Sequence, residues 1–124
     1  MPLQTLIEKN HPNLIEIDDI KQIPQDKDMV ITVAAPWCGH CQNEFKTVLN
    51  PTCRKLSNTK CLALDGDSEN GRKVLQQMGL NLQGFPTNVF CKFNAKTKKV
   101  ECIPIPGAIP QTTYDEILKK ANLS

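Results

Sequence analysis

Cys38 and Cys41 stand two residues apart in the stretch Ala35-Pro36-Trp37-Cys38-Gly39-His40-Cys41. Two thiols at that spacing can close a disulfide across a single helical turn. If Cys38 opens a helix, its sulfur lies beside unpaired backbone N–H groups and the positive end of the helix dipole. Both favour the thiolate, which is the nucleophile of disulfide exchange. Gly39 keeps the turn narrow. His40 either brings a second positive charge to the same sulfur or stays neutral and exposed with little effect. Trp37 beside the pair can be an ordinary core residue, since aromatic burial needs no function. The chemistry open to such a pair is attack by one cysteine on a substrate disulfide and release by the other. Half a zinc site is the competing reading. It lacks a second cysteine pair at metal-ligand spacing, because Cys53 and Cys61 are eight apart and Cys91 and Cys102 eleven. No metal or other cofactor is expected.

The elements around the motif place it. Met29 to Ala34 is a nearly unbroken apolar run rich in β-branched residues, which reads as a strand buried on both faces. The motif follows at its carboxyl end, where open α/β sheets carry their chemistry. A helix is expected from Cys38 with Phe45, Val48 and Leu49 inward. Asn50-Pro51 reads as a fresh cap and first-turn proline, or a sharp kink, ahead of a second piece reaching Leu56. Before the motif, residues 2–9 have the spacing of a short amphipathic helix. His11 reads as an exposed linker residue. Leu14 to Ile17 reads as a strand, and Asp18 or Asp19 can cap a short helix through Ile23. After the motif come a strand at Lys60 to Asp65 and a helix from Ser68 to Met78 with Gly79 as its C-cap. A loop at Asn81 to Gly84 leads into Phe85-Pro86. A hairpin follows, with strands at Thr87 to Phe93 and Lys99 to Ile103 ended by Pro104 and Pro106, and a last helix runs from about Gln111 to Ala121. This order needs parallel strands first and an antiparallel hairpin last. The expected class is α/β, a central mixed sheet with helices on both faces.

The chain of 124 residues reads as one domain, 1–124, with residues 1–13 as an N-terminal extension. Its apolar fraction of 40% and charged fraction of 23% are ordinary for a soluble protein, and a net charge of +2 points to neither nucleic acid nor an anionic membrane as partner. No apolar run is long enough to span a bilayer. Met1 to Asn10 alternates too soon for a signal-peptide core, and the final Ala-Asn-Leu-Ser is no retention signal, so a reducing, cytoplasmic setting is expected. Asp65-Gly66-Asp67-Ser68-Glu69 reads as helix capping, since Gly71 and Gln76 fall at the wrong places for a calcium loop. The lysines at the hairpin tip read as a solvated turn.

With Trp-Cys-Gly-His-Cys after the second strand and Gly-Phe-Pro-Thr before the hairpin, the chain resembles the thioredoxin superfamily from about Leu14 onward. The motif itself is similar to that of protein disulfide isomerases. The resemblance implies a thioredoxin-like fold and a thiol-disulfide oxidoreductase. Cys38 would be the exposed nucleophile, Cys41 the buried resolver and Trp37 the aromatic shield. Pro86 would be a cis-proline, the alternative being an ordinary trans turn residue, with Phe85 offering backbone groups to an extended substrate. The partners would be protein substrates with disulfides or dithiols and an electron donor or acceptor, met by a monomer. The alternative is a binding module of the same fold in which redox chemistry is incidental. Two departures stand out. The family's buried acid, six residues before the nucleophile, is here Thr32, so deprotonation of Cys41 must fall to water or another group. The family's kink proline is here Lys46. The loop before Phe85 also reads as two residues longer than usual. A turn centred between Lys96 and Thr97 sets Cys91 opposite Cys102, where a disulfide or simple thiol packing is possible. Packing is expected in a reducing compartment, and Cys53 and Cys61 are read as structural.

Overall fold

A computed structural model describes residues 2–124. Five strands form one mixed sheet in the order β1-β3-β2-β4-β5. They are β1 (Leu14–Ile17), β2 (Asp28–Ala34), β3 (Thr59–Asp65), β4 (Thr87–Asn94) and β5 (Lys99–Pro106). β3 runs parallel to both β1 and β2, while β4 is antiparallel to β2 and β5. β2 is central, and its residues from Met29 to Ala34 are buried, as its apolar run requires. On one face lie α1 (Gly39–Glu44), α2 (Asn50–Lys55) and α4 (Gln111–Lys120), where Phe45, Leu49, Phe90 and Tyr114 share a core. On the other, α3 (Glu69–Gln77) sets Val74 and Leu75 against Ile31, Val33 and Leu64. Ser68 caps α3, its hydroxyl accepting from the Gly71 amide at 2.9 Å, and Gly79 ends it at φ +73°.

The helix after Cys38 does not restart at Asn50. It is continuous from Gly39 to Lys55, widened into a π turn over Phe45–Leu49. Pro51 lacks an N–H and its ring crowds the carbonyl four residues back, so the run accommodates it by opening one turn just ahead. Asn50 is therefore no cap. Its buried side chain faces the N-terminal segment, accepting from the Glu8 amide at 3.1 Å and donating to the Leu6 carbonyl at 3.0 Å.

That segment is more firmly held than a linker. Its helix shortens to a single 3-10 turn, Leu3–Leu6, but Leu3 and Ile7 are buried in the α1/α2/α4 core. His11 is not free in solvent. Its Nδ1 accepts from the Asn13 amide at 3.0 Å, which leaves the proton on Nε2 to be donated to the Asn50 carbonyl at 2.9 Å. β5 likewise outruns its expected end at Ile103 and carries Pro104 and Pro106 within the strand. It is an edge strand, where a residue without an N–H costs no ladder bond on the open side.

The remaining cysteines correct another expectation. Cys53 of α2 is bonded to Cys61 of β3, and Cys91 of β4 to Cys102 of β5. The hairpin register places Cys91 and Cys102 directly opposite, with Cα atoms 4.1 Å apart, so pairing rather than thiol packing is the outcome. Cys38 and Cys41 remain as free thiols.

Candidate active site

β2 ends at Ala34, and the chain turns through Pro36 into α1 with Cys38 as the N-cap residue in extended conformation. Two bonds hold this turn. The Cys38 amide donates to the Ala35 carbonyl at 3.1 Å, and the Gln42 side chain donates to the Pro36 carbonyl at 2.7 Å. The Cys38 sulfur accepts from the Cys41 amide at 3.2 Å, so a backbone donor is already aimed where negative charge resides in a thiolate. Cys38 keeps a small accessible edge, 6%, and Cys41 has none. The nucleophile candidate is thus less exposed than the resemblance implies. Burial, together with the nearby Cys38 sulfur and the Glu44 charge, pushes the Cys41 thiol up to about 12. His40 is exposed on the first turn of α1.

The opposite wall comes from the loop before β4. The Phe85–Pro86 peptide is cis, Pro86 is buried, and the Cys38 thiol lies 3.7 Å from the Phe85 carbonyl. This brings a backbone acceptor, two sulfurs and an open edge together. An extended polypeptide carrying a disulfide can be held there while its sulfur is attacked. Trp37 is 66% exposed, which excludes the core reading. It is nonetheless held in place. Its indole N–H donates to Asp67 Oδ2 at 2.9 Å, and its ring meets Phe85 edge-on with centroids 6.1 Å apart. Asp67 is in turn paired with Arg72 of α3. Gly66 makes room for this wall, because a Cβ there would lie 2.5 Å from the Phe85 ring. Beside Phe85, a groove of about 540 Å³ runs under the loop of residues 79–84, lined by Leu80, Leu82 and Arg72 among others. Phe85 borders both this groove and, through its carbonyl, the Cys38 sulfur.

Beneath the cysteines lies a polar network that the sequence reading missed. Thr32 donates its hydroxyl to Asn88 Oδ1 at 2.6 Å, and the Asn88 amide donates to both oxygens of Glu44, at 3.1 and 3.0 Å. The Ile109 amide adds a third donor contact to Glu44 at 2.7 Å. Glu44 is 2% exposed, the one acidic residue among the described residues that is buried. Burial raises its pKa, against the donors that hold it down. A signal for it was present. Cys41, Glu44, Phe45 and Val48 have the i, i+3, i+4, i+7 spacing of one helix face, and Glu44 is the charged member of an otherwise apolar stripe. Asp67, which the sequence presents as part of a helix cap, is the partner of Trp37. Among the described residues, no group of three His, Cys, Asp or Glu side chains comes together as a metal site.

Comparison with known proteins bears on this geometry. The Thioredoxin family model matches residues 14–119. The chain is similar to the protein disulfide-isomerase tigA of Aspergillus niger, 32% identical over 102 residues, which is 77% of this chain and 25% of that protein. It therefore spans about a quarter of that relative's length. Among solved structures, the Trx4 domain of ERdj5 superposes with a TM-score of 0.69 at 18% identity, over 87% of this chain and 95% of that one. Thioredoxin NaTrxh of Nicotiana alata superposes with a TM-score of 0.64 at 22% identity, over 88% of this chain and 92% of that one. At these identities the two structures speak for the fold.

Proposed function

This chain belongs to the thioredoxin family, and on that premise we propose that it is a thiol-disulfide oxidoreductase acting on polypeptides through Cys38 and Cys41. The carrying observation is the free Cys38/Cys41 pair at the start of α1, with the Cys38 sulfur against the carbonyl of Phe85. In the reducing direction, the Cys38 thiolate attacks one sulfur of a substrate disulfide. The substrate S–S bond breaks, one substrate thiolate leaves, and Cys38 is joined to the other substrate sulfur. The Cys41 thiolate then attacks Cys38 Sγ, the mixed bond breaks, and the second substrate thiolate leaves. The substrate has gained two electrons and two protons, and Cys38 and Cys41 have become a disulfide. An external dithiol resets the pair, and reversal of the same steps oxidises a substrate dithiol.

The Phe85 carbonyl is the acceptor for a substrate backbone N–H, with Trp37, Phe85 and Pro86 as the substrate-facing wall. One chain carries nucleophile, resolver and groove, which supports action as a monomer. His40 at the motif, and the tigA relative named a disulfide isomerase, support a potential toward the less reducing end of the range between about −270 mV for thioredoxin and about −180 mV for protein disulfide isomerase. The Cys53–Cys61 and Cys91–Cys102 bonds favour an oxidising compartment over the reducing one expected from the sequence.

Reduction of insulin by dithiothreitol tests the proposal. Catalytic amounts of the protein are expected to shorten the lag before the insulin B chain precipitates. A chain that only binds partners leaves the lag at its uncatalysed length, whatever its affinity for insulin.

A further inference from the structure

Resting on the exchange reading above, the geometry points to Glu44 as the proton acceptor for Cys41 during release of the mixed disulfide. Cys41 must lose a proton before it can attack, yet it is sealed from solvent. The position from which the family's acid would act holds Thr32, whose hydroxyl is no base near neutral pH. Glu44 lies three residues after Cys41 on α1, so the two side chains share a helix face with Cβ atoms about 5–6 Å apart. It is the one buried acid among the described residues, and it stands one helical turn from Cys41.

The surroundings hold Glu44 in readiness. Asn88 and Ile109 give three donor contacts to the carboxylate, which satisfy its ionised form inside the core. Thr32 is not a failed base in this arrangement. By donating to Asn88 Oδ1 it fixes which end of that amide faces Glu44. Thr32 and Asn88 are thus positioning residues. Among titratable groups, Glu44 acts on Cys41 of its own helix and on the buried Tyr114 of α4, whose hydroxyl has no hydrogen-bond partner. On its other side Glu44 borders an open cleft of about 320 Å³ with Asn43, Thr47, Ala108 and Pro110.

The step balances. Cys41 makes no hydrogen bond to Glu44 at rest, so its S–H proton passes to the Glu44 carboxylate by way of one bridging water, giving a neutral carboxyl. The Cys41 thiolate attacks Cys38 Sγ, the bond from Cys38 to the substrate breaks, and the substrate sulfur leaves with the electron pair. Glu44 then loses its proton to solvent through the cleft.

Stopped-flow reaction of the reduced protein with Ellman's reagent separates the two attacks. A first release of thionitrobenzoate reports adduct formation at Cys38, and a second reports attack by Cys41. Glu44→Gln is expected to slow the second phase at pH 7 by roughly 10²-fold, the lower end of what a positioned base contributes, with the first phase within about twofold of wild type. The second phase should lose its dependence on a carboxyl ionisation and rise in proportion to hydroxide. A second phase within twofold of wild type overturns the assignment. So does equal slowing of both phases, which marks a general disturbance of the site. If Glu44→Gln fails to fold, Thr32→Val keeps the side-chain shape, and its second phase alone should slow several-fold; no slowing again overturns the assignment. A wild-type protein giving a first phase and no second contradicts the exchange reading itself and this step with it.

Discussion

Cys38→Ser is expected to remove all acceleration of insulin reduction, whereas Cys41→Ser should remove turnover but keep the first attack. The difference follows from where the sulfurs sit. Cys38 holds the accessible edge, the backbone donor from Cys41 and the contact with the Phe85 carbonyl. A serine hydroxyl there is not ionised near neutral pH and forms no stable bond to substrate sulfur. Cys41 has no exposed surface, so it reaches only the bond made at Cys38. Without it the mixed disulfide has no internal route to collapse. Cys41→Ser mixed with oxidised glutathione should therefore gain one glutathione on the peptide bearing Cys38, visible as a mass increase that dithiothreitol removes. Adducts on Cys41→Ser and none on the Cys38→Ser, Cys41→Ser double variant is the expected pattern.

The second large effect is on stability. Phe45 is 1% exposed, and its ring fills the core between the active-site helix, Phe90 and Tyr114. It opens the π turn, and its amide closes the last turn of α1 onto the carbonyls of Cys41 and Gln42. Phe45→Ala deletes a ring that its neighbours cannot collapse to replace. The expected loss is about 3–5 kcal/mol, a large share of the 5–15 kcal/mol typical of a whole domain. Urea unfolding should show a lower midpoint with the slope kept. A loss under about 1 kcal/mol would mean that the helix is not anchored at this point.

The sheet was legible because its strands carry simple signals. The apolar run of β2 needs two covered faces, and Ser68 and Gly79 bracket α3 as cap and terminator. The hairpin register followed from the turn at Lys96 and Thr97, which did set Cys91 opposite Cys102. Misread features depended on context that no local pattern holds. Whether Cys91 and Cys102 pair was judged from an assumed compartment, and their bond reverses that judgement. Pro104 and Pro106 looked like strand breakers because β5 could not be known to lie at an edge. His11 looked solvent-exposed because its partner Asn50 lies 39 residues away. The Glu44 network was hidden for the same reason. Thr32 meets Asn88 across 56 residues and Asn88 meets Glu44 across 44, and each alone passes for an ordinary polar residue. The motif named the cysteines, while the packing of β2, β4 and α1 revealed what lies beneath them.

The most direct test of the central assignment is a redox titration of the whole chain across a glutathione series, with free thiols alkylated at each point and mapped by peptide mass. The account predicts that Cys38 and Cys41 pass together from thiols to one disulfide, with a midpoint between about −270 and −180 mV. Cys53–Cys61 and Cys91–Cys102 should stay bonded throughout that window. Cys38 and Cys41 remaining thiols while either of the other pairs exchanges would contradict it.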